Sequence, residues 1–258
     1  MGRQVLETLD EEPGFEPVGV IEAQRPRGSA PLPSGGAVPM SPDPPALLRR
    51  TKPDIVVDFT VAHWTPVVAR AAIAAGARPV IGTTGLDDGF LDELDALARQ
   101  RGLGAVVAPN FAIGAVLLIH MARLAARYFD HAEIIELHHD RKIDAPSGTA
   151  LTTAREMREA RGRPFERPRT EKEPLPGTRG GELDGVTIHS VRLPGLVAHQ
   201  EVIFGGLGQT LSLRHDTTGR DSFMPGVLLA CREVMRRTGL VRGLDALIGL
   251  KDEGAPPQ

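Results

Sequence analysis

Hydrophobic and polar positions along the first 112 residues alternate between helical and extended periods. Helical periods cover 3–12, 63–75 and 87–101. Short apolar runs at 15–21, 54–59, 78–81 and 104–108 read as strands. The run at 54–59 is flanked by acids, which suits a parallel strand buried on both faces. Residues 25–45 hold seven prolines among glycines and serines, and are expected to form a loop without packed elements. Such alternation predicts a parallel sheet with crossover helices.

After residue 112 the pattern changes. An apolar helix is expected over 113–128, a strand over 132–139 and a helix over 149–160, followed by a charged loop over 161–184. Strands at 186–193, 197–204 and 209–215, separated by Pro194-Gly195 and Gly205-Gly206, read as a serial antiparallel meander. A last helix over 225–238 starts at Pro225 and stops before Gly239. The expected architecture is α/β. A doubly wound parallel sheet over 1–112, to which 222–258 returns, precedes an α+β domain with a mixed or antiparallel sheet over 113–221.

Composition narrows the function. Lys+Arg 30 against Asp+Glu 33 leaves a net charge of −3, so nothing draws the whole chain to nucleic acid or an anionic membrane. Aromatic content of 4% gives few stacking platforms for single strands. No apolar run approaches the roughly eighteen residues a spanning helix needs. The single cysteine, Cys231, excludes an internal disulfide, and the charged start lacks the apolar core of a secretory signal; a cytoplasmic protein is expected.

Polar residues are densest at 136–150, Glu-Leu-His-His-Asp-Arg-Lys-Ile-Asp-Ala-Pro-Ser-Gly-Thr-Ala. Adjacent strand residues face opposite ways, so His138 and His139 can serve one pocket only where the strand ends. Ser147, Gly148 and Thr149 then open a helix, whose first N–H groups suit a carboxylate or phosphate. With Lys142 nearby, this describes a cationic pocket for an acidic small molecule that gains or loses a proton. The plainer reading is a capping serine, solvated Arg141 and Lys142, and ordinary strand-end histidines. Adjacent histidines are poorly spaced for zinc, and no metal is expected.

The same run closely resembles the signature of the 4-hydroxy-tetrahydrodipicolinate reductase family of lysine and diaminopimelate synthesis. Further blocks follow in the family's order: Asp58-Phe59-Thr60, Gly82-Thr83-Thr84-Gly85, residues 108–114, residues 192–197, His215-Asp216 and residues 220–223. The resemblance implies that His138 is a catalytic proton donor or acceptor and Lys142 a second acid. It makes His139, Gly148 and Thr149 substrate contacts, with the last two amides on one carboxylate of a small dicarboxylic acid. It makes Glu22 the acceptor for the adenosine ribose, and Gly82, Thr83, Thr84, Ala108, Pro109, Asn110 and Phe111 the loops bordering the nicotinamide of NADH or NADPH. Arg25 and Arg27 are candidates for a 2′-phosphate. A bound dianion should raise the pKa of Lys142 and the histidines. The family also implies a homotetramer packed through the second domain.

One departure stands out. The family opens with a strand and a glycine-rich turn, whereas Met1-Gly2-Arg3 resembles only the end of that turn. A sheet lacking its first strand is expected to show unpaired neighbouring edges, and a start further upstream is favoured over a shortened form with impaired cofactor binding. Two other functions compete. Another nicotinamide enzyme of amino-acid synthesis could be a semialdehyde or a homoserine dehydrogenase; the first would need a nucleophilic cysteine, and Cys231 lies in a late helix that reads as core. A non-catalytic dicarboxylate-binding protein would not bind the nucleotide.

Overall fold

The computed structural model describes residues 1–24 and 28–250, so Arg25 and Arg27 lie outside the described residues. In chain order the elements are α1 (Gly2–Glu11), β1 (Val20–Ile21), β2 (Gly28–Pro31), β3 (Ala37–Ser41), α2 (Pro44–Thr51), β4 (Ile55–Asp58), α3 (Thr65–Ala74), β5 (Arg78–Ile81), α4 (Asp88–Gln100) and β6 (Gly104–Val107). Then come α5 (Ile113–Ala126), β7 (His131–His138), α6 (Gly148–Arg161), β8 (Gly181–Leu183), β9 (Val186–Arg192), β10 (Ala198–Gly206) and β11 (Gln209–Thr217). A 3₁₀ turn at Arg220–Phe223 leads to α7 (Met224–Val234), β12 (Gly239–Arg242) and α8 (Leu244–Leu247). They form two compact units, Met1–Ile113 with the segment from Arg220 onward, and Gly114–Gly219.

The first unit is built on a parallel sheet of order β12-β6-β5-β4. Helices α3 and α4 cover one face, where Ile73, Leu94 and Ala98 meet Ile81, Ala105 and Val107. Helix α7 lies close to the sheet at Gly104, where a Cβ would stand 2.3 Å from the Val234 carbonyl oxygen. Larger residues at 104 would force the two apart.

The proline-rich stretch corrects the sequence reading, because β2 and β3 pair there and α2 follows. Proline's fixed φ fits extended backbone, and Pro39 pairs only with Ser29 on β2. The two-residue ladder of β1 with β3 involves Met40 and Ser41 and so bypasses it. Asp43 caps α2 by accepting from the Ala46 amide at 3.0 Å, with Pro44 and Pro45 in the first turn. Among the described residues, β1 pairs only with β3 and β4 only with β5, which leaves two separate sheets with free edges. Strand β12, beside β6, occupies part of what reads as tail in the sequence.

The second unit is a mixed sheet of order β11-β10-β7-β9-β8. Its core sets Leu118 and Ala122 of α5 and Met157 of α6 against Ile134, Val202 and Phe204. The expected serial meander is half right. β8–β9 and β10–β11 are antiparallel neighbours, but β7 lies between β9 and β10 and runs parallel to β9. The chain therefore crosses over the end of β7 at 193–197, and His138 is flanked by Arg192 on one side and Ala198 on the other. The expected 161–184 loop also yields its end to β8.

Candidate active site

Strand alternation puts Glu136 and His138 on the same face of β7, two residues apart. Glu136 is fully buried. Its Oε2 lies 2.5 Å from His138 Nδ1. Arg192 donates from Nη1 to Oε2 at 2.9 Å and from Nη2 to Oε1 at 2.7 Å. The Ser147 amide donates to Oε1 at 3.2 Å, which ties the start of α6 to the end of β7.

The loop between these elements is held by the same arginine. Arg192 Nη2 donates to the Asp144 carbonyl at 2.7 Å. Lys142 Nζ pairs with Asp144 Oδ1 at 2.7 Å. The Ser147 hydroxyl accepts from the Ala150 amide at 3.2 Å and caps α6. Gly148 and Thr149 follow the cap, so their N–H groups are among those that no helical turn can satisfy.

Electrostatics follows the same contacts. Burial pushes the Glu136 carboxyl up, but hydrogen bonds from Arg192, Ser190 and His138 outweigh it and hold it below the usual range. Burial pushes the His138 imidazole down; Glu136 opposes this, while Lys142 and Arg192 add to it. The neighbouring Asp144 carboxyl is held low by Lys142 first. His139 Nδ1 is buried with no hydrogen-bond partner among the described residues. The second unit thus brings together His138, Lys142 and the start of α6, with Glu136 and Arg192 linking them.

The first unit carries the other named residues at the C-terminal ends of β1, β5 and β6. Glu22 Oε1 accepts from the Gln24 amide at 3.1 Å. Gly82 is required by its own neighbour, since a Cβ there would stand 2.1 Å from the Phe59 ring. Thr83 is buried with its hydroxyl unpartnered among the described residues, and Thr84 is exposed. The side chains of Ala108 and Phe111 are core, and Phe111 packs on Phe59 at 5.5 Å between ring centres. Asn110 Oδ1 accepts from the Ala112 amide at 2.9 Å, while Pro109 is exposed. Any ligand contact from Ala108 or Phe111 is therefore made by backbone.

Sequence reasoning assigned no role to Glu136, Arg192 or Asp144. The spacing Glu136-x-His138 was a usable signal for a shared face. Nothing local could have paired Arg192 with Glu136, which depends on the β7–β9 register. Cys231 is buried, and burial pushes its thiol up to about 12, which removes it as a nucleophile.

The family model for the N-terminal part of dihydrodipicolinate reductase matches residues 1–111, and that for the C-terminal part matches 114–248. The chain belongs to the dihydrodipicolinate reductase family. A relative named 4-hydroxy-tetrahydrodipicolinate reductase, from Dehalococcoides mccartyi (strain CBDB1), is 49% identical; the match covers 97% of this chain and 95% of the relative. The reductase of that name from Bacillus subtilis (strain 168) is 45% identical, with 96% and 94% covered. Among solved structures, a dipicolinate-bound dihydrodipicolinate reductase from Paenisporosarcina sp. TG-14 superposes with a TM-score of 0.86 at 43% identity, covering 95% of this chain and 94% of that one. An amine dehydrogenase from Mycobacterium smegmatis shares the fold at 17% identity and TM-score 0.60, with 93% and 91% covered.

Proposed function

We propose that this member of the reductase family reduces 4-hydroxy-tetrahydrodipicolinate to tetrahydrodipicolinate, with loss of water, at the expense of NADH or NADPH. The observation that carries the reading is the His138–Glu136–Ser147 chain of hydrogen bonds, which sets a proton-transfer group beside the open amides of α6 in a chain matched by both family models.

The nucleotide-binding part is 1–112 with 222–258, which falls within the first unit. Its residues fit a nicotinamide nucleotide: Glu22 ends a strand with a carboxylate suited to ribose hydroxyls, and the buried Thr83 hydroxyl has no partner among the described residues. When bound, the reduced nicotinamide supplies a hydride. Residues 113–221 hold the substrate and carry the tetramer contacts. The Gly148 and Thr149 amides take one carboxylate, with His139 alongside. Lys142 adds a full positive charge, which stabilises electron density pushed toward the ring nitrogen and carboxylates.

His138 handles the proton. Glu136 is ionised and acts only as an acceptor, so Nδ1 carries the hydrogen and Nε2 is left for the substrate. A dianionic substrate raises the low imidazole pKa and so loads Nε2 with the proton that the reduced ring takes up at carbon. No described helix is long and apolar enough to cross a membrane. A cytoplasmic setting suits the single reduced cysteine.

The test is oxidation of NADH and of NADPH by the purified chain with substrate generated in the assay. Substrate-dependent oxidation of at least one is expected. Failure with both, alongside intact dipicolinate binding, would leave only a dicarboxylate-binding role.

A further inference from the structure

We infer that Glu136 is the positioning residue of this site, a single buried carboxylate that orients the His138 ring and anchors the carboxylate-binding end of α6 at once. The inference rests on the proposed reductase reading for what the site does, and on geometry alone for how it is held.

Burying a carboxylate at the middle of a sheet is costly, and an ion pair there does not by itself favour folding over an apolar replacement. Glu136 is nonetheless fully buried, and its oxygens are met from three elements: His138 on β7, Arg192 on β9 and the Ser147 amide at the start of α6. A purely structural ion pair would need only Arg192. The contact to Nδ1 instead fixes which ring nitrogen carries the hydrogen, and so which one faces the reaction. The contact to the Ser147 amide holds the Pro146–Ser147 peptide, one residue ahead of the Gly148 amide, so imidazole and anion-binding amides share one reference point. Arg192 completes the arrangement by holding the intervening loop at the Asp144 carbonyl.

Arg192 and Glu136 act on the ring with opposite sign, and this gives the test its force. Glu136→Gln keeps the shape and removes the charge, so the His138 pKa falls further. Arg192→Met removes a positive neighbour, so the pair takes up its proton at higher pH. The measurement is the ¹⁵N titration of the His138 ring in both variants, with the pH profile of kcat/KM and calorimetric binding of dipicolinate as companions. Expected results are opposite shifts of the ring, a matching displacement of the kinetic profile, and a fall in kcat of at least about tenfold in Glu136→Gln, part of what a placed acid contributes. Shifts in the same direction, or none, would overturn the inference.

The unmodified protein provides a result that needs no variant. Its ¹⁵N–¹H spectrum should show neutral His138 as the Nδ1–H tautomer, the less common form of free histidine. The Nε2–H tautomer would overturn the inference even if both variants failed to fold. Because ring titration requires no turnover, an inactive wild type would count against the reductase reading alone. An active enzyme whose ring is indifferent to both substitutions would count against the positioning role alone.

Discussion

Lys142 and Asp144 form an ion pair across a single intervening residue, with Nζ 2.7 Å from Oδ1. The ammonium is mostly shielded and the carboxylate half exposed, so the pair parks the charge at the mouth of the loop that leaves β7. Asp144→Asn should free Lys142 while changing KM only a few-fold, because partly exposed pairs are weak. Lys142→Ala and His138→Ala should each lower kcat by about 10²–10⁴. Nucleotide binding, followed by nicotinamide fluorescence, should stay within about threefold. Near-normal turnover in both alanine variants would remove these residues from the chemistry.

Gly148 is the first residue of α6, where proline is well tolerated. Ser147 before it already has extended backbone, φ −65° and ψ 151°, as a residue preceding proline requires. A Cβ at 148 would meet nothing within 4 Å. Gly148→Pro should therefore fold with unchanged melting temperature yet lack one donor. Loss of one charge-assisted hydrogen bond, about 1.5–3 kcal/mol, weakens dipicolinate binding roughly tenfold or more. Unchanged affinity by calorimetry would show that this amide does not hold the ligand.

Acid should reveal the Glu136 cluster in stability. Its carboxyl is held below the ordinary value of 4.5 in the folded chain. Its contribution is thus fully present above that pH and is lost as pH falls through the lowered folded value. Near neutrality Glu136→Gln should cost roughly 3 kcal/mol, as expected when a buried pair loses one partner. In urea titrations across pH, the gap between wild type and variant should close below about pH 4.5. A gap that is constant with pH would mean the charge is not what matters.

Cys231 should be inert. Buried in α7, with its thiol pushed up to about 12, it should resist thiol reagents in the native enzyme and react only after unfolding. Rapid native labelling accompanied by loss of activity would reopen a cysteine-dependent mechanism.

The sequence exposed most elements whose periods are long or strongly apolar, such as α4, α5, β6 and β7. Two further elements have local signals in the sequence. Asp184-Gly185 is a two-residue hairpin loop, with φ of 52° and 84° and Leu183 opposite Val186. Asp43 before two prolines and an apolar run announces α2. Other features were beyond local reading. Proline content masked the β2–β3 pairing, and β12 is too short for any period to declare itself. The insertion of β7 between β9 and β10 is a tertiary choice that no turn residue encodes. The site divides in the same way. His138, Lys142 and the α6 cap lie in one stretch of chain, whereas Arg192 reaches it only through strand register.

The crossing over the end of β7 bears on biosynthesis of the molecule. A nascent chain that has emerged as far as residue 180 already carries His138, Lys142 and the α6 cap, but lacks β9 and β10 on either side of β7. The cluster of His138, Glu136 and Arg192 thus assembles only when the ribosome has delivered both flanking strands.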